Sequence, residues 1–192
     1  MNKETGCNQV TSEKPTAWEG HRQFANWLVK HVKPEVTVEL GVDYGHSTFY
    51  LAEAGIGKVY GVDSFEGDNH AGIRDTFEYV ENIKANYDFD NVTFIKGYFE
   101  DVAKTWDQQI DILHIDGFHT YDAVKNDYET WKGFLKENSV VLFHDTVAFA
   151  GDVGRFFNEL EMYKINFGHS AGLGVASKDP EIIKLISESF GI

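Results

Sequence analysis

The sequence predicts an α/β fold with a mostly parallel sheet covered by helices on both faces. Short apolar runs alternate with longer amphipathic segments along most of the chain. Continuous apolar runs are typical of strands that are buried on both faces, and their alternation with helices is typical of parallel sheets. The chain has 192 residues, of which 42% are hydrophobic, which suits one domain with a substantial core.

The beginning of the chain differs in character from the rest. Residues 1–16 are polar and show no helical periodicity, so we predict a flexible leader there and a single domain over residues 17–192. The first helix is predicted over residues 17–32, because Phe24, Leu28 and Val32 recur at helical spacing. Pro34 then ends the helix.

The remaining elements follow from the same alternation. Apolar runs predict the strands, and amphipathic periodicity predicts the helices between them. The predicted strands are 35–40, 58–62, 91–95, 110–115, 139–143, 162–166 and 172–177. The predicted helices are one that carries Phe49, then 75–87, 100–106, one over 121–135, 152–161 and 181–190.

Composition excludes several classes of function. The net charge is −14, from 17 Lys+Arg and 31 Asp+Glu, which disfavours binding to nucleic acids or to anionic membranes. Cys7 is the single cysteine, so neither an internal disulfide nor a cysteine-based zinc cluster can form. No apolar run approaches the roughly 18 residues of a membrane-spanning helix, and no signal peptide is evident at the start. We therefore expect a cytoplasmic protein.

The first strand ends in a glycine-containing loop. Gly41 and Gly45 allow a tight turn and a close approach to a ligand, but their spacing is not that of a dinucleotide-binding motif. Glu39 suits a cationic ligand, which it can contact directly or through water. A tight strand–helix turn explains the same glycines without a ligand.

The second strand ends at Asp63. A carboxylate here is placed to hold both hydroxyls of a ribose, although a turn aspartate is the alternative. Phe65 is suited to packing on an adenine or to packing in the core. Together with the first loop, these residues favour a nucleoside ligand.

The fourth and fifth strands end in acids and histidines. Because the carboxyl ends of parallel strands meet at one edge of a sheet, Asp116, His119, His144 and Asp145 are expected in one cleft. Carboxylates with imidazole suit a divalent cation, and His119 is alternatively a general base. His114 lies inside its strand, so we predict a core histidine.

With these motifs together, the sequence resembles class I S-adenosylmethionine-dependent methyltransferases. Within them it resembles methyltransferase domain family 24, a bacterial group akin to metal-dependent sugar and catechol O-methyltransferases. The resemblance covers residues 34–177. It rests on Val38-Glu39-Leu40-Gly41 with Gly45, on residues 61–72, on residues 113–121 and on Leu142-Phe143-His144-Asp145-Thr146.

The resemblance implies a Rossmann-like, doubly wound sheet of seven strands whose last strand, near residues 172–177, is antiparallel. It also implies S-adenosyl-L-methionine as cofactor, bound by the loops after the strands. The residues expected to bind it are Glu39, Gly41, Gly45 and Ser47 near the methionine end, Asp63 at the ribose, Ser64, Phe65, Gly97 and Tyr98 near the adenine, and Asp116.

The resemblance further implies metal assistance and a catalytic base. Asp116 and Asp145 match positions that hold Mg²⁺ in related enzymes, and His119 matches a proposed base. His144 departs from the pattern, because relatives carry an oxygen ligand there and hard cations prefer oxygen donors. We expect Asp116, His144 and Asp145 to bind Mg²⁺ or another divalent cation, with His119 and Asp116 catalytic.

The expected reaction is O-methylation of a small molecule at a sugar or phenolic hydroxyl. Asp68 and His70 follow the second strand and are candidates for contact with this acceptor. A small aromatic-rich domain of this kind can also form a homodimer. Neither nucleic acid nor membrane is expected as a partner.

Other classes of function remain open from the residues alone. An NAD-dependent oxidoreductase on a Rossmann sheet explains Asp63 but not the first loop or the acid–histidine strand ends. A metallohydrolase explains the histidines, with His114 among its ligands, but not Glu39 or Asp63. A non-catalytic nucleotide-binding module is the remaining alternative.

Overall fold

The computed structural model describes residues 2–68 and 72–192, and within these ranges the predicted α/β sheet is present. Its seven strands lie in the order β5-β2-β1-β6-β7-β9-β8, and β3 and β4 form a separate two-stranded hairpin. The strands are β1 Val36–Leu40, β2 Lys58–Asp63, β3 Gly67–Asp68, β4 Gly72–Ile73, β5 Val92–Lys96, β6 Ile110–Ile115, β7 Leu135–His144, β8 Tyr163–Phe167 and β9 Leu173–Ser177.

The helices alternate with these strands as predicted. They are α1 Lys3–Glu13, α2 Arg22–Val32, α3 His46–Ala52, α4 Phe77–Asn86, α5 Phe99–Ala103, α6 Tyr121–Trp131, α7 Val153–Glu159 and α8 Pro180–Phe190. Two 3₁₀ turns, Ala17–His21 and Lys132–Phe134, precede α2 and β7. Among the described residues, no helix is both long enough and apolar enough to span a bilayer.

Strand directions confirm the predicted doubly wound topology. Strands β5, β2, β1, β6 and β7 pair in parallel, whereas β9 is inserted antiparallel between β7 and β8. Apolar residues fill both faces of the sheet: α1–α4 and α8 pack on one face and α5–α7 on the other. The carboxyl ends of β1, β2, β6 and β7 therefore open on one edge.

The prediction of a flexible leader is wrong for residues 3–13, which form α1. The sequence of this helix lacks an amphipathic stripe, so periodicity did not reveal it. It packs instead through a few small positions: Gly6, Cys7 and Val10 are buried, and a Cβ on Gly6 would lie 2.6 Å from that of Tyr87. Asn2 caps the first turn by accepting a hydrogen bond from the Thr5 amide.

The helix predicted over residues 17–32 is divided in the structure. Its first turn is the 3₁₀ turn, and α2 begins at Arg22. Helix α2 ends at Val32, and its C-cap residue Lys33 takes a left-handed conformation (φ 51°) immediately before Pro34. The division matters because the 3₁₀ turn carries Trp18 to the open edge of the sheet.

A buried acid on α6 predicts how stability depends on pH. Asp127 is 8% exposed, and burial, followed by the nearby charge of Glu100, raises its pKa to about 7. Because this pKa is higher in the folded chain than in the unfolded chain, the folded state loses stability as pH rises from about 4 to 7. The loss is on the order of 4 kcal/mol.

The substitution Asp127→Asn removes this penalty. We expect it to raise the free energy of unfolding at pH 8 and to change it little at pH 4, as measured by urea denaturation. Asp122→Asn, on the exposed surface of the same helix, is the matched control. An equal gain from Asp127→Asn at both pH values would contradict the assignment.

Candidate active site

A cavity of about 460 Å³ lies at the carboxyl ends of β1, β2, β6 and β7. Its position confirms the expectation that loops after neighbouring parallel strands meet at one edge. The described residues that line it are Thr16, Ala17, Trp18, Gly41, Val42, Asp43, His46, Ser47, Asp63, Ser64, Phe65, Gly67, Thr76, Gly97, Tyr98, Phe99, Asp116, Gly117, Phe118, His119, His144 and Asp145.

The charge of this lining is acidic. Asp43, Asp63, Asp116 and Asp145 contribute carboxylates, and no lysine or arginine is among the described lining residues. Arg74 pairs with Asp43 across 2.6 Å and offsets that one charge. Such a lining suits a neutral or cationic ligand, because it lacks the lysine or arginine that commonly binds a pyrophosphate.

The glycines of the first loop are required by the fold. Gly41 has φ 95°, and a Cβ on it would lie 2.0 Å from the backbone oxygen of Asp116. It therefore lets the loop after β1 pack directly against the end of β6. Gly45 has φ 82° and forms the N-cap of α3 outside the cavity lining. Their predicted contacts with a cofactor stay predictions.

Glu39 lies behind the wall of the cavity rather than in it. Its side chain is fully buried and accepts hydrogen bonds from the hydroxyls of Ser47 and Thr48. His114 Nδ1 lies 2.8 Å from Glu39 Oε1, which confirms the prediction of a core histidine. Only Ser47 of this group lines the cavity, so a contact between Glu39 and a ligand stays a prediction.

Asp63 lines the cavity and also holds its loops together. Its Oδ2 accepts hydrogen bonds from the amides of Val42 (2.7 Å) and Asp43 (3.1 Å), and its Oδ1 accepts one from the Phe65 amide (2.7 Å). The role of a turn aspartate is thus observed. Oδ1 can accept one further hydrogen bond, so contact with a ribose stays a prediction.

The residues predicted to surround an adenine differ in exposure. Phe65 is only 1% exposed and packs edge-on against Phe77 and Phe94, so it is mainly a core residue. Ser64, Gly97 and Tyr98 line the cavity, and Tyr98 is 62% exposed. Tyr98 therefore offers the accessible ring in this region.

The structure brings together the acids and histidines at the ends of β6 and β7. His119 Nε2 lies 2.8 Å from Asp145 Oδ2 and 3.8 Å from Asp116 Oδ1. His144 Nδ1 lies 3.3 Å from an oxygen of each aspartate. Asp145 has φ 64°, a left-handed conformation that aspartate tolerates better than most residues. The predicted convergence of these four residues in one cleft is confirmed.

Mutual attraction holds these four groups in their charged forms. Burial opposes the charge on His119, but hydrogen bonds to Asp116 and Asp145 raise its pKa to about 9. Burial likewise opposes the charge on His144, but the charge of Asp116 and hydrogen bonds to both acids raise its pKa to about 10. The ligand-free cluster is thus two imidazolium–carboxylate pairs.

Two aromatic side chains that touch this cluster were not predicted from the sequence. The indole nitrogen of Trp18 donates a hydrogen bond to Asp116 Oδ2 (3.1 Å), and its ring stacks on His144. Phe149 stacks on His119 with ring centroids 4.4 Å apart. Trp18 comes from a segment without a strand-end motif, whereas Phe149 lies in the stretch after β7 that was expected from the sequence to shape the acceptor pocket.

Of the two residues proposed for acceptor contact, the structure describes the backbone of one. The backbone of Asp68 ends β3. His70 lies outside the described residues. Their contact with an acceptor stays a prediction.

Comparison with known proteins adds a family match. The model of a methyltransferase domain family matches residues 38–146. Protein y4gI of Sinorhizobium fredii is 34% identical over 178 residues, which are 87% of this chain and 20% of y4gI. The chain therefore spans about a fifth of the length of this curated relative.

Solved structures share the fold at low sequence identity. A methyltransferase from Geobacter sulfurreducens has a TM-score of 0.72 and 15% identity, covering 92% of this chain and 89% of its own. The O-methyltransferase TomG from Streptomyces achromogenes, solved in complex with S-adenosylmethionine, has a TM-score of 0.68 and 16% identity, covering 92% of this chain and 89% of its own. The family match gives no support to the oxidoreductase or hydrolase alternatives.

Proposed function

This chain belongs to the methyltransferase domain family whose model matches residues 38–146, and we propose that it transfers the methyl group of S-adenosylmethionine to a hydroxyl of a small molecule. The observation that carries this proposal is the cavity that joins Asp63 to the acid–histidine cluster. The end of the cavity at Asp63 suits a nucleoside. The end at the acid–histidine cluster suits removal of a proton from an acceptor hydroxyl. Asp63 follows β2 and the cluster follows β6 and β7, with β1 between β2 and β6 in the sheet.

The cofactor fits the chemistry of the lining. S-adenosylmethionine is a nucleoside with a cationic sulfonium and no phosphate, and the described lining carries four aspartates and neither lysine nor arginine. Asp63 would accept a hydrogen bond from a ribose hydroxyl with the remaining lone pair of Oδ1. Ser47, Ser64, Gly97 and Tyr98 line the adjoining walls. The TomG structure, which contains S-adenosylmethionine in the same fold, supports this choice of cofactor.

Asp116, His144 and Asp145 fit a divalent cation. Each offers one ligand atom, and these atoms lie within 4.8 Å of one another. Two carboxylate oxygens with one imidazole nitrogen suit Mn²⁺, Fe²⁺, Co²⁺ or Zn²⁺ better than Mg²⁺, which prefers oxygen donors. When bound, the cation would lower the pKa of an acceptor hydroxyl and fix its position.

His119 is the proposed proton acceptor. In the ligand-free cluster its pKa of about 9 keeps it protonated at neutral pH, because Asp116 and Asp145 face it. Neutralising those two carboxylates by a cation would remove the attraction that holds the proton. Stacking on Phe149 fixes the plane of the imidazole. A neutral, oriented His119 would then accept the hydroxyl proton during methyl transfer.

Aromatic residues at the mouth of the cavity favour a flat acceptor, such as a phenol. Tyr98 and Phe118 are 62% and 39% exposed, and Phe118 lines the cavity beside His119. A sugar hydroxyl is the second candidate, because aromatic faces also pack on sugar rings. Asp68 and His70, which follow β2 in the sequence, are proposed to contact this acceptor.

Methyl transfer to a panel of acceptors tests the proposed function. The purified chain is incubated with S-adenosylmethionine carrying an isotopic methyl label and with catechols, other phenols or sugars, with and without Mn²⁺ or Mg²⁺. We expect labelled methyl ether on a hydroxyl acceptor, together with S-adenosylhomocysteine. Labelled product on nitrogen or carbon acceptors alone would contradict O-methylation, and full activity in a chelator would contradict the metal.

A further inference from the structure

We propose that Trp18 is a positioning residue that fixes the carboxylate of Asp116 in the active site. This inference rests on the proposed function, since it concerns the same site. Trp18 lies outside the segment matched by the family model, which begins at residue 38. The N-terminal segment would therefore add a neutral hydrogen-bond donor to a cluster whose charged groups come from the ends of β6 and β7.

The contact between these two residues is direct and shielded from solvent. Trp18 is 3% exposed, and its indole N–H donates to Asp116 Oδ2 across 3.1 Å. Its ring stacks on His144 at 5.4 Å and meets His114 edge-on at 4.7 Å. The indole is thus held between the cluster and the histidine behind it, so its N–H has little freedom to point elsewhere.

The turn that carries Trp18 is anchored on both sides. Thr16 caps it, because its hydroxyl oxygen accepts a hydrogen bond from the Trp18 amide (3.0 Å). His21 ends the turn, with Nε2 3.2 Å from the backbone oxygen of Ser170, and its ring stacks on His169. The β8–β9 connection therefore holds the turn in place from the other side of the site.

The hydrogen bond from Trp18 gives the two oxygens of Asp116 different partners. Oδ2 accepts from Trp18, which leaves Oδ1 directed at His144 (3.3 Å) and His119 (3.8 Å). A carboxylate rotates easily about its last side-chain bond, so without this donor only the two histidines would orient the Asp116 carboxylate. Partners of this kind that orient a ligand or a catalytic acid commonly contribute about 10–100-fold to metal affinity or activity.

Proton–nitrogen NMR spectra of the indole groups test the contact without any assay of activity. The Trp18 indole signal is identified by its loss in Trp18→Phe. We expect Asp116→Ala to move this signal upfield, because the carboxylate acceptor is lost. The Trp106 indole, which donates to the backbone oxygen of Gln108 (2.8 Å), is the internal control and should stay in place. An unmoved Trp18 signal would overturn the proposal.

Kinetics of Trp18→Phe separate positioning from mere packing. Phenylalanine keeps an aromatic ring but cannot donate, so we expect kcat to fall at least about tenfold. The affinity for S-adenosylhomocysteine and the melting temperature should match those of Trp106→Phe, the control variant. Unchanged kcat, or a parallel loss of kcat, affinity and melting temperature, would show that Trp18 is only a packing residue. Absence of methyl transfer by the unmodified chain would instead refute the proposed function, and the NMR result would stand by itself.

Discussion

Replacing His119 with alanine is expected to lower kcat for methyl transfer about 10²–10⁴-fold, the usual contribution of a general base. The side chain lies 2.8 Å from Asp145 and stacks on Phe149, so its removal takes away the proposed proton acceptor and leaves the backbone unchanged. The affinity for S-adenosylhomocysteine should change little, because no adenosine-binding role is assigned to His119. Steady-state kinetics and calorimetric titration measure the two quantities.

His31→Ala is the matched control for this prediction. His31 is an exposed histidine on α2 that stacks on Trp27 away from the cavity. Its substitution should leave both kcat and cofactor affinity unchanged. Normal turnover in His119→Ala would remove His119 from the mechanism, and equal losses in both variants would point to a general effect of histidine removal.

Replacing Glu39 with alanine is expected to destabilise the fold by about 3–5 kcal/mol, the usual effect of removing one partner from a buried polar pair. Ser47, Thr48 and His114 all bond to this carboxylate inside the protein. Without it, three buried donors lose their acceptor, and each unsatisfied group is costly. The free energy of unfolding of a domain is about 5–15 kcal/mol, so this one residue contributes a large share of it.

Urea denaturation at neutral pH measures the effect of Glu39→Ala. The matched control is Glu35→Ala near the start of the same strand, where the side chain is 83% exposed and pairs with Lys136 at the surface. Exposed pairs contribute about 0–1 kcal/mol, so this variant should remain close to the unmodified chain. A loss of cofactor affinity in Glu39→Ala with no loss of stability would contradict the structural role and favour direct ligand contact.

The position of the site was predictable because it follows from sheet topology. Asp63, Asp116 and Asp145 each come at or just after the end of an apolar run, and parallel strands bring such ends to one edge. Burial on both faces explains why the runs are continuous rather than alternating. The pattern of apolar runs, read together with the topology of a parallel sheet, therefore predicted the position of the cavity and of its acid–histidine cluster.

The direction of the Glu39 side chain was not predictable in the same way. A strand residue points to one face or the other, but the sequence does not tell whether its partner is a ligand or a protein group. In this chain, the Glu39 carboxylate is hydrogen-bonded to Ser47 and Thr48 on α3 and to His114 on β6. Only the packing of α3 against the sheet reveals these partners.

The N-terminal segment escaped prediction because its contacts are distant in sequence. Trp18 and Asp116 are 98 positions apart, and no local pattern links them. Helix α1 packs through Gly6 and Cys7 rather than through a periodic apolar stripe. Long-range fit of this kind leaves no signature in a single sequence.

Titration calorimetry of the purified chain with S-adenosylhomocysteine, and in parallel with NAD⁺, tests the central claim most directly. We predict saturable one-to-one binding of S-adenosylhomocysteine and no heat of binding from NAD⁺, because the described cavity lining contains no lysine or arginine to hold a pyrophosphate and its charged histidines are paired with carboxylates. Binding of NAD⁺ in place of S-adenosylhomocysteine, or binding of neither, would contradict the claim that this cavity serves methyl transfer.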